Sequence, residues 1–112
     1  MKQKLSEAQI WLVDYLSERY DTRKVKTEYQ FCQERKWRFD VVLAGLVWPC
    51  AFEIEGGLYV QGAHVRGQHY ESDMEKYNTA AALGWKVFRF TPKQVLDGTA
   101  KVFIEKYLEY TK

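Results

Sequence analysis

The chain is poor in the features that small proteins use to staple themselves together. Its 112 residues hold only two cysteines, Cys32 and Cys50. Neither has a CxxC partner or a histidine at zinc spacing, so the pattern argues against a zinc finger or a disulfide framework and leaves two free thiols, buried or half-buried. Proline is as scarce, with two in the whole chain, and no Pro/Gly/Ser-rich stretch or internal repeat divides the sequence. It therefore reads as one domain over residues 1–112, long enough to bury its own core. Long hydrophobic runs are missing. The longest, Val41 to Phe52, is too short to span a bilayer and is broken by Gly45 and Pro49, and the opening MKQKLSEAQ has no apolar signal region. The expectation is a cytoplasmic protein that does not enter a membrane. Excess charge of one sign is lacking too: 17 basic residues face 15 acidic ones, a formal net charge of +2. An argument for nucleic acid must therefore rest on local clusters and not on the total.

Periodic elements are plentiful. Ser6 and Gln9 have capping-box spacing, with Leu5 and Ile10 as the flanking staple, and predict a helix over Glu7 to Tyr20. VKTEYQF alternates as a half-buried strand, with Val25, Thr27, Tyr29 and Phe31 on one face and Lys26, Glu28 and Gln30 on the other. WRFDVVLA is a second strand, with Trp37, Phe39, Val41 and Leu43 opposite Arg38, Asp40 and Val42. A third runs from Cys50 to Glu55. A hairpin centred between Leu46 and Val47 pairs residues whose numbers total 93, which sets Asp40 opposite Glu53. After a loop, VQGAHVRGQHY, Ser72 and Glu75 repeat the capping-box spacing and open a helix that stops at Gly84. WKVFRF is the fourth strand. Thr91 and Pro92 open a final helical segment, interrupted near Asp97 and Gly98. The order is α-β-β-β-α-β-α, an α/β or α+β fold with a mixed four-stranded sheet, because a helical crossover makes the third and fourth strands parallel.

One stretch resists this simple reading. AFEIEGGLY places Glu53 and Glu55 in a strand that otherwise heads for the core, where an uncompensated carboxylate costs several kcal/mol. With Asp40 on the adjacent strand, three acids share one face and repel unless a proton or a cation intervenes. Oxygen-only ligation suits Mg²⁺ or Mn²⁺, which serve phosphodiester hydrolysis. From alternation alone, the acids fit the solvated side of a half-covered sheet equally well. Asp73, Lys76, Tyr77 and Ala80 form one stripe of the second long helix, which gives Lys76 two fates: a charge aimed at the acids or a surface ion pair with Asp73 or Glu75. Arg35, Lys36 and Arg38 around Trp37 suit backbone phosphates or an ordinary solvated turn.

RKWRFDVVL, AFEIEGGLY, GAHVRG and ESDMEKYNTAAALGWKVFRFTP together resemble small phage and bacterial endonucleases of the PD-(D/E)XK superfamily, close to VRR-NUC, Vsr-like and Holliday-junction-resolvase-like members. The resemblance covers residues 28 to 96. It implies a restriction-endonuclease-like core and a divalent-metal-dependent DNA endonuclease in which Asp40, Glu53 and the backbone carbonyl of Ile54 hold Mg²⁺ or Mn²⁺. It departs from the motif at position 55, where a lysine is usual and this chain has Glu55. The resemblance implies a basic group from the following helix, for which Lys76 is the candidate, with Glu55 sharing the site as a metal ligand or a water-positioning base. The resemblance also implies supporting roles for Glu7 and for His64, which matches a GxH element, although the helix dipole favours an acid in the first turn in any case and a loop histidine is more often exposed and idle. Arg35, Lys36, Arg38 and Arg66 would then contact DNA, in a bacterial or phage-infected cell, with a homodimer as one arrangement for two-strand or junction cleavage. Two rivals stand beside this reading: a DNA-binding module with a nuclease fold and no efficient chemistry, and a small interaction protein whose acids face solvent.

Overall fold

A computed structural model describes residues 4–46, 48–56 and 62–108, with the backbone alone for 62–70. Helix α1 (Glu7–Arg19) starts where the Ser6 hydroxyl accepts from the Gln9 N–H and the Gln9 side chain accepts from the Ser6 N–H. This reciprocal bonding satisfies two amides that the first turn leaves without helical partners. A 3-10 turn, Thr22–Lys24, leads into β1 (Val25–Gln30), followed by β2 (Arg38–Leu43) and β3 (Cys50–Ile54). Helix α2 (Gly62–Ala82), β4 (Lys86–Phe90), α3 (Pro92–Leu96) and α4 (Thr99–Tyr107) complete the chain. Thr91 caps α3 with Pro92 in its first turn, and Gly98, at φ 92°, separates α3 from α4. No helix among the described residues is long and apolar enough to cross a membrane.

The strands form one mixed sheet in the order β1-β2-β3-β4, antiparallel across the first two junctions and parallel across the last. Val41 pairs with Phe52, Val42 with Ala51 and Leu43 with Cys50, the register expected from the hairpin. One face of the sheet packs Val41, Leu43, Phe52 and Phe90 against Leu12 and Leu16 of α1, Val95 of α3 and Ile104 of α4. The opposite face sets Phe39, Val42 and Ala51 against Ala80 of α2, with Tyr29, Phe31 and Trp85 alongside. Helices therefore flank the sheet on both sides, which is the α+β arrangement with a four-stranded mixed sheet. Both thiols are free, Cys50 buried and Cys32 partly so.

Two expectations need correction. The segment read as a loop before Ser72 is helical from Gly62, so Ser72 lies inside α2 and caps nothing. That segment contains no proline, and its interior Gly67 costs only about 1 kcal/mol relative to alanine, too little to stop a helix on its own. The simple alternation of β1 and β2 also fails. Phe39 belongs with Val42 rather than with Val41, and Tyr29 and Phe31 lie on the face opposite Val25. In β1 the reversal falls at Glu28, which has φ 48°, and in β2 it falls at Asp40, between Phe39 and Val41. The β1–β2 pairs on either side are Thr27 with Val41 and Tyr29 with Phe39, while Glu28 and Asp40 are not paired. A side chain rarely adopts that backbone conformation, and one such residue rotates the strand so that the facing pattern inverts beyond it.

Candidate metal centre

The inversion marks the place where the acids gather. β2 and β3 are joined there by side chains in place of the usual backbone ladder. The Asp40 N–H donates to Glu53 Oε2 at 3.0 Å, and the Ile54 N–H donates to Asp40 Oδ2 at 2.7 Å. Each carboxylate thus satisfies a backbone amide of the other strand. Charge-assisted bonds of this kind help a carboxylate to remain buried, and Glu53 is only 6% exposed.

α2 supplies the rest of the shell around Glu53. Lys76 Nζ lies 2.6 Å from Glu53 Oε1, and the Tyr77 hydroxyl donates to the same oxygen at 3.0 Å. Lys76 also sits over the rings of Phe39 and Tyr77, at 5.7 and 5.4 Å. The stripe predicted on α2 therefore does face the sheet, and Lys76 pairs with Glu53 rather than with Asp73 or Glu75. Burial, the charge of Glu53 and its hydrogen bond push the Tyr77 phenol far above its ordinary pKa, so Tyr77 is a fixed donor.

Glu55 goes elsewhere. Both of its oxygens are bonded by Arg89 of β4, through Nε to Oε2 and through Nη2 to Oε1, the latter at 3.0 Å. Arg89 lies over Tyr77 with its guanidinium carbon 4.6 Å from the ring centre. The acids at positions 53 and 55 thus share a face, as alternation required, but each has its own cation.

Two residues were missed. Glu28, assigned by alternation to one face with Lys26 and Gln30, lies close enough to Asp40 for its charge to act on that carboxyl. Gln9, read only as a helix cap, joins the two strands: its Nε2 donates to Glu28 Oε2 at 2.9 Å and to the Asp40 carbonyl at 3.2 Å. Its Oε1 serves the cap, so one amide fixes both α1 and the acidic corner. The spacing of Ser6 and Gln9 exposed the first role, but nothing in the sequence exposed the second. Glu7 remains exposed in the first turn of α1, and Gln9 is the residue of that helix that reaches the acids. The side chains of His64 and Arg66 lie outside the described residues.

Arg35, Lys36 and Arg38 are exposed near the β1–β2 connection. Arg35 bonds Glu75 of α2 at 2.7 Å and stacks on Trp37 with its guanidinium carbon 4.1 Å from the ring centre. It thereby ties the basic turn to the helix that carries Lys76.

The electrostatics leave an imbalance. Among the described residues, Glu28, Asp40 and Glu53 bring three potential negative charges against Lys76. Asp40 bears the consequence: burial first, then the charges of Glu53 and Glu28, push its carboxyl from 3.8 to about 6, although the Ile54 N–H and Lys76 pull the other way. A divalent cation would relieve the same imbalance without a proton.

The donor set fits such an ion. It is all oxygen, and Asp40 Oδ1 accepts no hydrogen bond from the described residues. The Ile54 N–H points toward Asp40, and the N–H and C=O of one strand residue leave on the same edge, so the Ile54 carbonyl shares that edge. Among the described residues no three His, Cys, Asp or Glu side chains converge as a ready coordination group. Mg²⁺ commonly takes only one or two carboxylates and keeps several waters. No protein-family model matches this chain, and neither the curated proteins nor the solved structures contain a match.

Proposed function

We propose that the protein is a divalent-metal-dependent DNA endonuclease with a restriction-endonuclease-like core. The observation that carries this reading is the convergence of Asp40 and Glu53 from adjacent strands, with the ammonium of Lys76 2.6 Å from Glu53. Asp40, Glu53 and the Ile54 carbonyl are the groups that would hold Mg²⁺ or Mn²⁺. When bound, such an ion supplies Lewis-acid polarisation of a phosphoryl oxygen and stabilises the charge that develops as the leaving oxygen departs. The residues of the chain do the rest. Lys76 presents its ammonium beside the carboxylates, where it would counter negative charge that develops on a phosphoryl group, and Tyr77 fixes the orientation of Glu53. Asp40 and Glu53 are the bases at the site, and water attacks in line with the departing oxygen. The exposed Arg35, Lys36 and Arg38 would follow the phosphate backbone. This reading places the protein in the cytoplasm of a bacterium or a phage-infected host, with a homodimer where two strands are cut.

A second reading rests on a different feature of the same cluster. Glu53 already accepts from Lys76, Tyr77 and the Asp40 N–H, so the network is complete as a structural latch. A DNA-binding module of nuclease shape would need nothing more. Incubation of supercoiled plasmid with the protein across a range of Mg²⁺ and Mn²⁺ concentrations separates the two. The endonuclease reading expects metal-dependent nicking that EDTA stops, whereas binding without nicking at every metal concentration favours the latch.

A further inference from the structure

Arg89 has more bonding capacity than its partner uses. A guanidinium has two forks, a side fork formed by Nε and Nη2 and an end fork formed by Nη1 and Nη2. Glu55 occupies the side fork, through Nε to one oxygen and Nη2 to the other. The Nη1 nitrogen has no partner among the described residues, and the side chain is 51% exposed. The plane of the group is set twice over, by the two-point carboxylate bond and by the ring of Tyr77 at 4.6 Å. Tyr77 in turn is bonded through its hydroxyl to Glu53. Arg89 also pairs in register with Glu53 across the parallel β3–β4 junction, and paired positions project to the same face of a sheet. An oriented end fork therefore stands one tyrosine ring away from the acidic corner, open to solvent.

We infer that Arg89 is a phosphate-binding residue whose end fork takes two non-bridging oxygens of a DNA phosphodiester next to the one that is cut, and that Glu55 is the positioning residue that holds the fork. The inference rests on the endonuclease reading for its substrate. A planar bidentate donor matches a phosphate's oxygen pair in a way that an ammonium does not, because an ammonium acts as a point charge. Acidic neighbours do not offer the same contact: Glu55 is committed to the side fork, and Asp73 contributes only a longer-range attraction to Arg89. Position 55 thus carries a glutamate for a reason unrelated to metal ligation. It organises a cation that lies on the neighbouring strand.

The test is the affinity of the whole protein for a labelled duplex oligonucleotide, followed by fluorescence anisotropy in Ca²⁺ across a salt series. Arg89→Ala should weaken binding about tenfold and reduce the salt slope by about one. Arg89→Lys should restore the slope and leave most of the affinity loss, since it keeps the charge and loses the fork. Glu55→Gln should weaken binding even though it removes a negative charge. Circular dichroism confirms the fold of each variant. Unchanged binding in Arg89→Ala, tighter binding in Glu55→Gln, or no binding by the parent protein overturns the inference. The outcome is separable from the fate of the endonuclease reading. Metal-dependent nicking with binding indifferent to Arg89 removes this inference alone, and Arg89-dependent binding with no nicking removes the chemistry alone.

Discussion

Asp40→Asn should lose metal-dependent cleavage by on the order of a thousandfold or more and, in the absence of metal at neutral pH, should melt at a higher temperature than the parent. The first effect follows from removing a charged ligand and base from the centre of the site. The second follows from the cost that the acid imposes on the fold. Its carboxyl is held at about 6 in the folded protein against an ordinary 3.8, so between those pH values the folded chain binds more protons than the unfolded one. Stability then falls as pH rises through that window. Asparagine keeps an acceptor for the Ile54 N–H and carries no charge, so it escapes the loss. The melting advantage of Asp40→Asn should be full above pH 6 and should vanish below about pH 3.8, read from thermal melts at a series of pH values in EDTA. An equal or lower melting temperature at pH 7 would mean that Asp40 is not under electrostatic strain. A variant that cut DNA at the parental rate would remove it from the site.

Lys76→Met should be the most destabilising single change at the site, by about 3–5 kcal/mol, because it leaves Glu53 buried without its cation. The side chains of Lys76 and Glu53 are 16% and 8% exposed, so solvent screens the pair little. Methionine keeps much of the apolar stem that lies beside Phe39, which confines the change mainly to charge. Removing both charges, as Lys76→Met with Glu53→Gln, should recover most of the loss, since a buried pair is costly to halve and far less costly to delete. Urea denaturation of the two single variants and the double variant measures this coupling. Cleavage should follow the opposite logic: the double variant regains stability and stays inactive. A Lys76→Met variant as stable as the parent would show that Glu53 does not depend on this lysine.

The sequence disclosed the sheet and the acidic pair through short-range rules. Hairpin register follows from counting residues across a turn, and that count alone brought Asp40 to Glu53. Helix caps at Ser6 and Thr91 were legible because their bonding partners lie three residues away. Lys76 was legible in part, since helical spacing put it on one stripe with Tyr77 and Ala80. What the pattern hid was the backbone of Glu28. Alternation assumes ordinary extended geometry at every residue, and a glutamate carries no mark that it will adopt a positive φ. Beyond that torsion Tyr29 lies on the other face of the sheet, with its partner Phe39 beside it. Gln9 was hidden because its second role joins β1 and β2, residues far away in the chain. The Arg89–Glu55 pair was hidden for the same reason, since parallel register across a long crossover cannot be counted as a hairpin can. The false cap at Ser72 came from trusting a spacing that recurs inside helices.

The most direct test is the anomalous difference map of crystals soaked in Mn²⁺. The account predicts one strong peak among the oxygens of Asp40, Glu53 and the Ile54 carbonyl, lost in crystals of Asp40→Asn. A map with no peak there at saturating Mn²⁺, with Lys76 still seated on Glu53 and Asp40 turned to bulk water, would contradict it.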